Sequence, residues 1–77
     1  MIQRNPWNIE TVQIIAENGL TDFVLDQAKS GARESDIWFA VVDRINGCDM
    51  ADRATFTIAM ADLESVVFFL NQAKRSI

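Results

Sequence analysis

The sequence predicts an all-α domain of four helices, at residues 6–18, 22–30, 36–46 and 51–75. Three observations predict this class. From Phe56 to Leu70 apolar residues recur at steps of four, three, four and three, which is the spacing of one helical face. The consecutive apolar residues 66–70 break the alternation that a half-buried strand requires. Asn-Gly pairs at 18–19 and 46–47 follow apolar runs, as helix stops do.

The first helix is predicted from signals at both of its ends. Asn5 is a suitable N-cap, and Pro6 suits the first helical position because its missing N–H would have no partner there. At the other end Gly19 is expected in the left-handed conformation of a Schellman ending. Leu20 would then fold back onto Ile15.

The second and third helices are predicted from caps and from an apolar run. Thr21 is placed to cap the second helix, which Ser30-Gly31 ends, and Ser35 is placed to cap the third. The run from residue 37 to residue 43 is rich in β-branched and aromatic side chains, which also favours a strand. An alternative α+β fold therefore stays open, with residues 37–43 and 55–60 paired as a two-stranded hairpin, although its loop would be long.

The last helix is expected to be the spine against which the other three pack. Asp49 or Asp52 would cap it, and Lys74 and Arg75 suit the negative end of its dipole. Its predicted buried stripe consists of Phe56, Met60, Leu63, Val67 and Leu70.

Apolar side chains on this spine exceed what one buried stripe can hold. Successive residues of a helix turn by about 100°, so the run 66–70 covers every side of it. The surplus residues are either wrapped by the other helices or form a flank for a second copy or a foreign protein, and both interpretations stay open. The candidate apolar flank comprises Phe39, Ile58, Phe68 and Phe69.

Composition limits the chain to one small domain, residues 1–77. A core of this size supplies about 3–5 kcal/mol, yet 49% of the residues are hydrophobic, which favours a homodimer or a larger partner. Cys48 is the only cysteine and there is no histidine, so neither a disulfide nor a zinc site is expected. Residues 1–8 lack an apolar leader and no apolar run approaches the length of a membrane span, so we expect a cytoplasmic protein.

Negative charge is concentrated in the middle of the chain. Residues 22–52 contain seven acidic and three basic side chains, which accounts for the whole net charge of −4. Such a surface is typical of contact with a basic protein, including one that itself binds nucleic acid, whereas direct binding of phosphate is not expected. The candidate partner-binding acids are Asp22, Asp26, Glu34, Asp36 and Asp43.

No catalytic, metal-binding or phosphate-binding motif is present, so the sequence predicts neither an enzyme nor a cofactor. We expect a non-catalytic inhibitor or regulator that acts by protein contact. By size and charge the chain is similar to small blocking proteins of phages and other mobile elements, such as anti-CRISPRs, antitoxins and immunity proteins. That analogy assigns no residue. The alternative is a helix-turn-helix DNA-binding regulator at residues 21–46, with Arg33 as its favourable charge.

Overall fold

A computed structural model describes residues 5–46 and 51–75 and shows five helices in them. The helices are α1 (Pro6–Glu17), α2 (Thr21–Lys29), α3 (Glu34–Ile45), α4 (Ala51–Ala59) and α5 (Leu63–Arg75). The all-α class is therefore confirmed. Residues 37–43 lie within α3 and residues 55–59 lie within α4, so the alternative hairpin is wrong.

The ends of α1 follow the local sequence signals. The side-chain oxygen of Asn5 accepts a hydrogen bond from the N–H of Trp7 at 2.9 Å, which caps the first turn. Gly19 has a φ of +68°, and the N–H of Leu20 donates to the carbonyl of Ile15 at 2.9 Å. That six-to-one bond is the defining contact of a Schellman ending, and this prediction is confirmed.

The end of α2 repeats this geometry, but the predicted starts of α2 and α3 are wrong. Gly31 has a φ of +82°, and the N–H of Ala32 donates to the carbonyl of Gln27 at 3.2 Å. Thr21 is the first residue inside α2 and Ser35 the second inside α3, and neither helix has a side-chain cap. The turn after α1 is so tight that its last residue, Leu20, is also the N-cap residue of α2.

The predicted spine is wrong, because α4 and α5 are two helices bent by 110°. Neither glycine nor proline occurs at residues 60–62, where the break lies. A contact from α1 causes the break: the side-chain oxygen of Asn8 accepts the N–H of Asp62 at 2.7 Å. Asp62 in turn accepts the hydroxyl of Ser65 at 3.0 Å, so its carboxylate lies over the first turn of α5. We call residues 60–62 the elbow.

The bend also changes which residues of α4 are buried. Phe56 and Met60, predicted to lie in the buried stripe, are 56% and 51% exposed. The ring of Phe56 instead makes an edge contact with Trp7, with centroids 4.9 Å apart. Only the α5 part of the stripe faces inward, where Leu70 is buried and Leu63 and Val67 are partly buried. The buried residues of α4 are Ala54, Thr57 and Ile58.

Both arms of the elbow pack against α1, while α4 also packs on α3 and α5 on α2. The hydroxyl of Thr11 on α1 donates to the carbonyl of Thr57 on α4 at 3.3 Å, with both residues fully buried. The apolar core consists of Ile15, Val24, Ile37, Trp38, Val41, Ile45, Ala54, Ile58, Ala61, Val66 and Leu70. The predicted cap Asp49 and the cysteine Cys48 lie outside the described residues.

Among the described helices, none is by itself long and apolar enough to cross a membrane. The α4–α5 pair meets those two criteria only when its members are counted together across their 110° bend.

The two left-handed glycines give a direct test of the turns. We expect Gly19→Ala and Gly31→Ala each to lower the free energy of unfolding by about 1–2 kcal/mol. An added Cβ would meet no atom within 4 Å at either site, so the cost comes from the backbone alone. Urea denaturation measures the change, with the exposed helical substitution Gln13→Ala as the control. A loss no larger than that of the control would contradict the left-handed conformation.

Candidate protein-binding site

The outer face of α3 combines an exposed aromatic ring with two carboxylates. Asp36, Phe39 and Asp43 follow one another at steps of three and four, so they form one stripe along the helix. The opposite face of α3 is buried through Ile37, Trp38, Val41 and Ile45. Burial of that face fixes the outward direction of the stripe. Phe39 is 75% exposed, more than any other large hydrophobic residue in the described part of the chain.

A groove of about 340 Å³ lies beside this stripe, between α3 and α4. Trp38 and Ile58 are 8% and 1% exposed, so they form its floor, and Phe39 belongs both to the groove and to the acidic stripe. The groove is mainly apolar, and Glu34 is the only charged residue that lines it. The full lining is Glu34, Ser35, Trp38, Phe39, Val42, Thr55, Ile58 and Ala59.

Trp38 carries a polar atom that the fold leaves without a partner. Its ring N–H is buried and makes no hydrogen bond, a condition that costs about 1–3 kcal/mol. The large ring is nevertheless retained between α3 and α4, where it packs in the core and supports the groove.

Carboxylates predominate around the groove, and two nearby cations contact other helices. Asp52 lies three residues before Thr55 on α4 and therefore on the same side of that helix. The guanidinium of Arg44 lies 3.9 Å from the ring centre of Phe23 on α2, in a cation–π contact. The guanidinium of Arg53 is paired with the carboxylate of Glu10 on α1.

The structure divides the five predicted acids between two helices. Glu34, Asp36 and Asp43 are exposed on α3, whereas Asp22 and Asp26 are exposed on α2. The α2 acids line a different depression, of about 770 Å³ between α2 and α5, together with Lys29 and Lys74. There the ammonium of Lys74 lies 2.5 Å from the carboxylate of Asp22. The local charge is thus mixed, unlike that of the α3 face.

The predicted apolar flank is also divided. Ile58 was expected at the surface but is 1% exposed, so that expectation is wrong. Phe68 is 41% exposed and Phe69 is half-buried, and their rings make an edge contact on α5 at 5.7 Å. Phe39 lies on a different helix from this pair. Of the predicted flank residues, only Phe39 joins acidic side chains in a single stripe.

The groove itself was missed by the sequence analysis. The sequence feature that could have indicated the groove is Ala59, a small residue of α4 that lines it together with the bulky Trp38 and Phe39 of α3. The spacing between the two helices depends on the elbow, which the sequence analysis did not predict. Within the described residues, no group of three or more acidic or cysteine side chains is arranged to hold a metal ion.

Comparisons with protein-family models, with curated proteins and with solved structures find no match for this chain. The functional argument therefore rests on the geometry of α3 and of the groove.

Phe39 is expected to contribute little to folding, because three-quarters of its surface stays in water. We predict that Phe39→Ala changes the free energy of unfolding by less than about 0.5 kcal/mol. Ile37→Ala, two residues away and 1% exposed in the wild type, should cost about 2–5 kcal/mol. Chemical denaturation of both variants measures the difference. Similar losses would show that the ring of Phe39 is part of the core.

Proposed function

We propose that this protein is a non-catalytic inhibitor or regulator that binds a basic, amphipathic segment of a partner protein along the α3–α4 groove. One observation carries the proposal: Phe39 is 75% exposed and lies between the carboxylates of Asp36 and Asp43, at the edge of an apolar groove.

The exposed ring supplies the driving force for binding. Complete burial of a phenylalanine side chain is worth about 1.5–3 kcal/mol, and the fold leaves most of that unused at Phe39. Exposed aromatic residues beside a preformed apolar cleft are typical of binding hot spots. A partner that covers Phe39 and fills the groove would remove apolar surface of both molecules from water.

The size of the groove suits one or two aliphatic side chains of a peptide. Its 340 Å³ is close to the lower limit of about 300–1,000 Å³ for small-molecule sites. An apolar groove between α3 and α4 fits the mode in which an amphipathic helix inserts apolar anchors between two helices.

The negative charge around the groove favours a partner whose polar residues are basic. Glu34, Asp36 and Asp43 on α3 and Asp52 on α4 would face lysine or arginine residues beside the apolar anchor. Such complementarity raises the association rate and lowers affinity for acidic competitors. A basic surface of this kind is typical of proteins that bind nucleic acid, so occupation of that surface would block its normal ligand.

A binding role is favoured over catalysis because the groove has no pair of titratable groups. Glu34 is the one titratable side chain in its lining, and its carboxylate also accepts the N–H of Leu63 at 3.4 Å, at the start of α5. General acid–base chemistry requires groups positioned on both sides of a reacting atom.

Selection from a random peptide library tests the proposal. The displayed peptides would be 16 residues long, and the immobilised target would be the whole protein. We expect enriched peptides to carry a leucine, isoleucine or methionine anchor flanked by lysine and arginine. For a synthetic consensus peptide, Phe39→Ala should weaken binding at least tenfold, equivalent to about 1.4 kcal/mol. Asp36→Asn with Asp43→Asn should weaken binding and reduce its salt dependence.

The control variant is Phe68→Ala, which removes an exposed ring from α5 and should leave the affinity unchanged. The proposal fails if enriched peptides are acidic or if they bind Phe39→Ala as well as the wild type. Binding of duplex DNA that falls steeply with salt and is lost in Arg33→Ala would instead support the helix-turn-helix alternative. The three carboxylates on the exposed face of α3 argue against that result.

A further inference from the structure

We infer that α4 and α5 can join into one straight helix, and that two copies of this chain then exchange α5 to form a domain-swapped dimer. This inference is independent of the proposed function, because it concerns the elbow and the opposite side of α4. It identifies a second copy of the chain as the partner for the exposed residues Phe56 and Met60.

The hydrogen bonds at the elbow show which backbone contacts must change to convert the two bent helices into one straight helix. The N–H of Met60 donates to the carbonyl of Phe56 at 3.2 Å, and that of Val66 donates to the carbonyl of Asp62 at 3.0 Å. Helical bonding therefore continues up to residue 60 and resumes at residue 66. Joining the helices requires the N–H groups of residues 61–65 to bond the carbonyls four positions earlier; that of Ala61 now donates to Ile58 at 3.0 Å.

Two of the three elbow residues favour a helix. Met60 and Ala61 have high helix propensity, and the elbow contains neither glycine nor proline. Asp62 favours the bend, because its carboxylate accepts the hydroxyl of Ser65 over the first turn of α5.

Two contacts hold the bend from outside α4 and α5. Asn8 accepts the N–H of Asp62 at 2.7 Å, and Glu34 accepts the N–H of Leu63 at 3.4 Å. In a straight helix both N–H groups would have backbone partners instead.

Burial of the exposed apolar residues of α4 would stabilise the straight helix in a dimer. Phe56 and Met60 are 56% and 51% exposed in the bent form. Their four-residue spacing places them on one face, and a straight helix would continue that face through Leu63, Val67 and Leu70. In an exchanged dimer the two elbow segments meet near the symmetry axis, which brings Phe56 and Met60 of both copies together.

The remaining contacts of α5 are preserved by exchange. Each α5 would pack on α1 and α2 of the other copy through the same residues that it contacts in the monomer, including the ion pair of Lys74 with Asp22. The energetic difference between monomer and dimer therefore lies mainly at the elbow and in the loss of translational freedom.

Substitutions at Leu63 distinguish the bent monomer from the exchanged dimer with a straight helix. Leu63 is the first residue of α5, a position that favours proline, so Leu63→Pro is compatible with the bend although it removes the N–H that donates to Glu34. Inside a straight helix the proline ring would clash with the carbonyl of Ala59. Leu63→Ala removes the same side chain without this clash. After refolding at high protein concentration, light scattering should show dimers for the wild type and Leu63→Ala but only monomers for Leu63→Pro.

A spin-label distance tests the shape of the helix within the dimer. Chains labelled at Thr55→Cys and Ala73→Cys, in a Cys48→Ser background, would be refolded with an excess of unlabelled chain, because exchange restores the short distance between residues 55 and 73 of different copies. Within one chain the two labels should lie about 27 Å apart in a straight helix. The 110° bend would bring them to about 16 Å. Because this measurement does not use proline, it decides the question even if Leu63→Pro fails to fold. Asn8→Ala, which removes the acceptor at the elbow, should increase the fraction of dimer.

The inference is overturned if the wild type and Leu63→Ala stay monomeric after refolding at high concentration. Dimers of Leu63→Pro, or dimers in which the spin-label distance within one chain is the shorter one, would also overturn it, because both require an interface formed by bent chains. Loss of peptide binding in Phe39→Ala has no bearing on these results, so this inference and the proposed function can fail separately.

Discussion

The hydrogen bond from the N–H of Asp62 to the side chain of Asn8 is the constraint on which the arrangement of the last two helices depends. Asn8 is 2% exposed, so its amide has already left water, and an unpaired oxygen there would be costly. The bond satisfies that oxygen and ends α4 at the point where both arms can pack on α1. A polar residue on one helix therefore decides where another helix stops, and apolar packing follows from that position.

The candidate site is a consequence of this bend. The last residue of α4, Ala59, is small, and it lines the groove together with Trp38 and Phe39 of α3. On α3 four buried residues face the core, so the stripe of Asp36, Phe39 and Asp43 must face outward. The exposed ring and its carboxylates thus require no special local conformation, since ordinary helical spacing places them there.

Whether a feature could be predicted from the sequence depends on how far apart in the chain its interacting residues lie. The cap at Asn5 and the left-handed Gly19 depend on neighbours within a few residues, and both were predicted correctly. The elbow depends on a bond between residues 54 positions apart, and its one local signal is Asp62, a residue type that suits the start of a helix. The errors at Phe56, Met60 and Ile58 follow from that one omission, because a bend rotates the buried face of α4 away from the stripe of α5. For the site, the sequence identified Phe39 and its acids but could not show that a groove lies beside them.

The two candidate surfaces of α4 would serve different partners. Thr55 and Ala59 line the groove, whereas Phe56 and Met60 do not, and each of them is turned by about 100° from the groove residue that precedes it. Exchange of α5 leaves the α3–α4 contact within each chain, so a dimer would present two intact grooves. Two linked grooves would raise the avidity for a partner that displays repeated basic segments, through effective concentration and without any new contact. The carboxylates of α3 would repel those of a second copy, which would keep this face available to a basic partner.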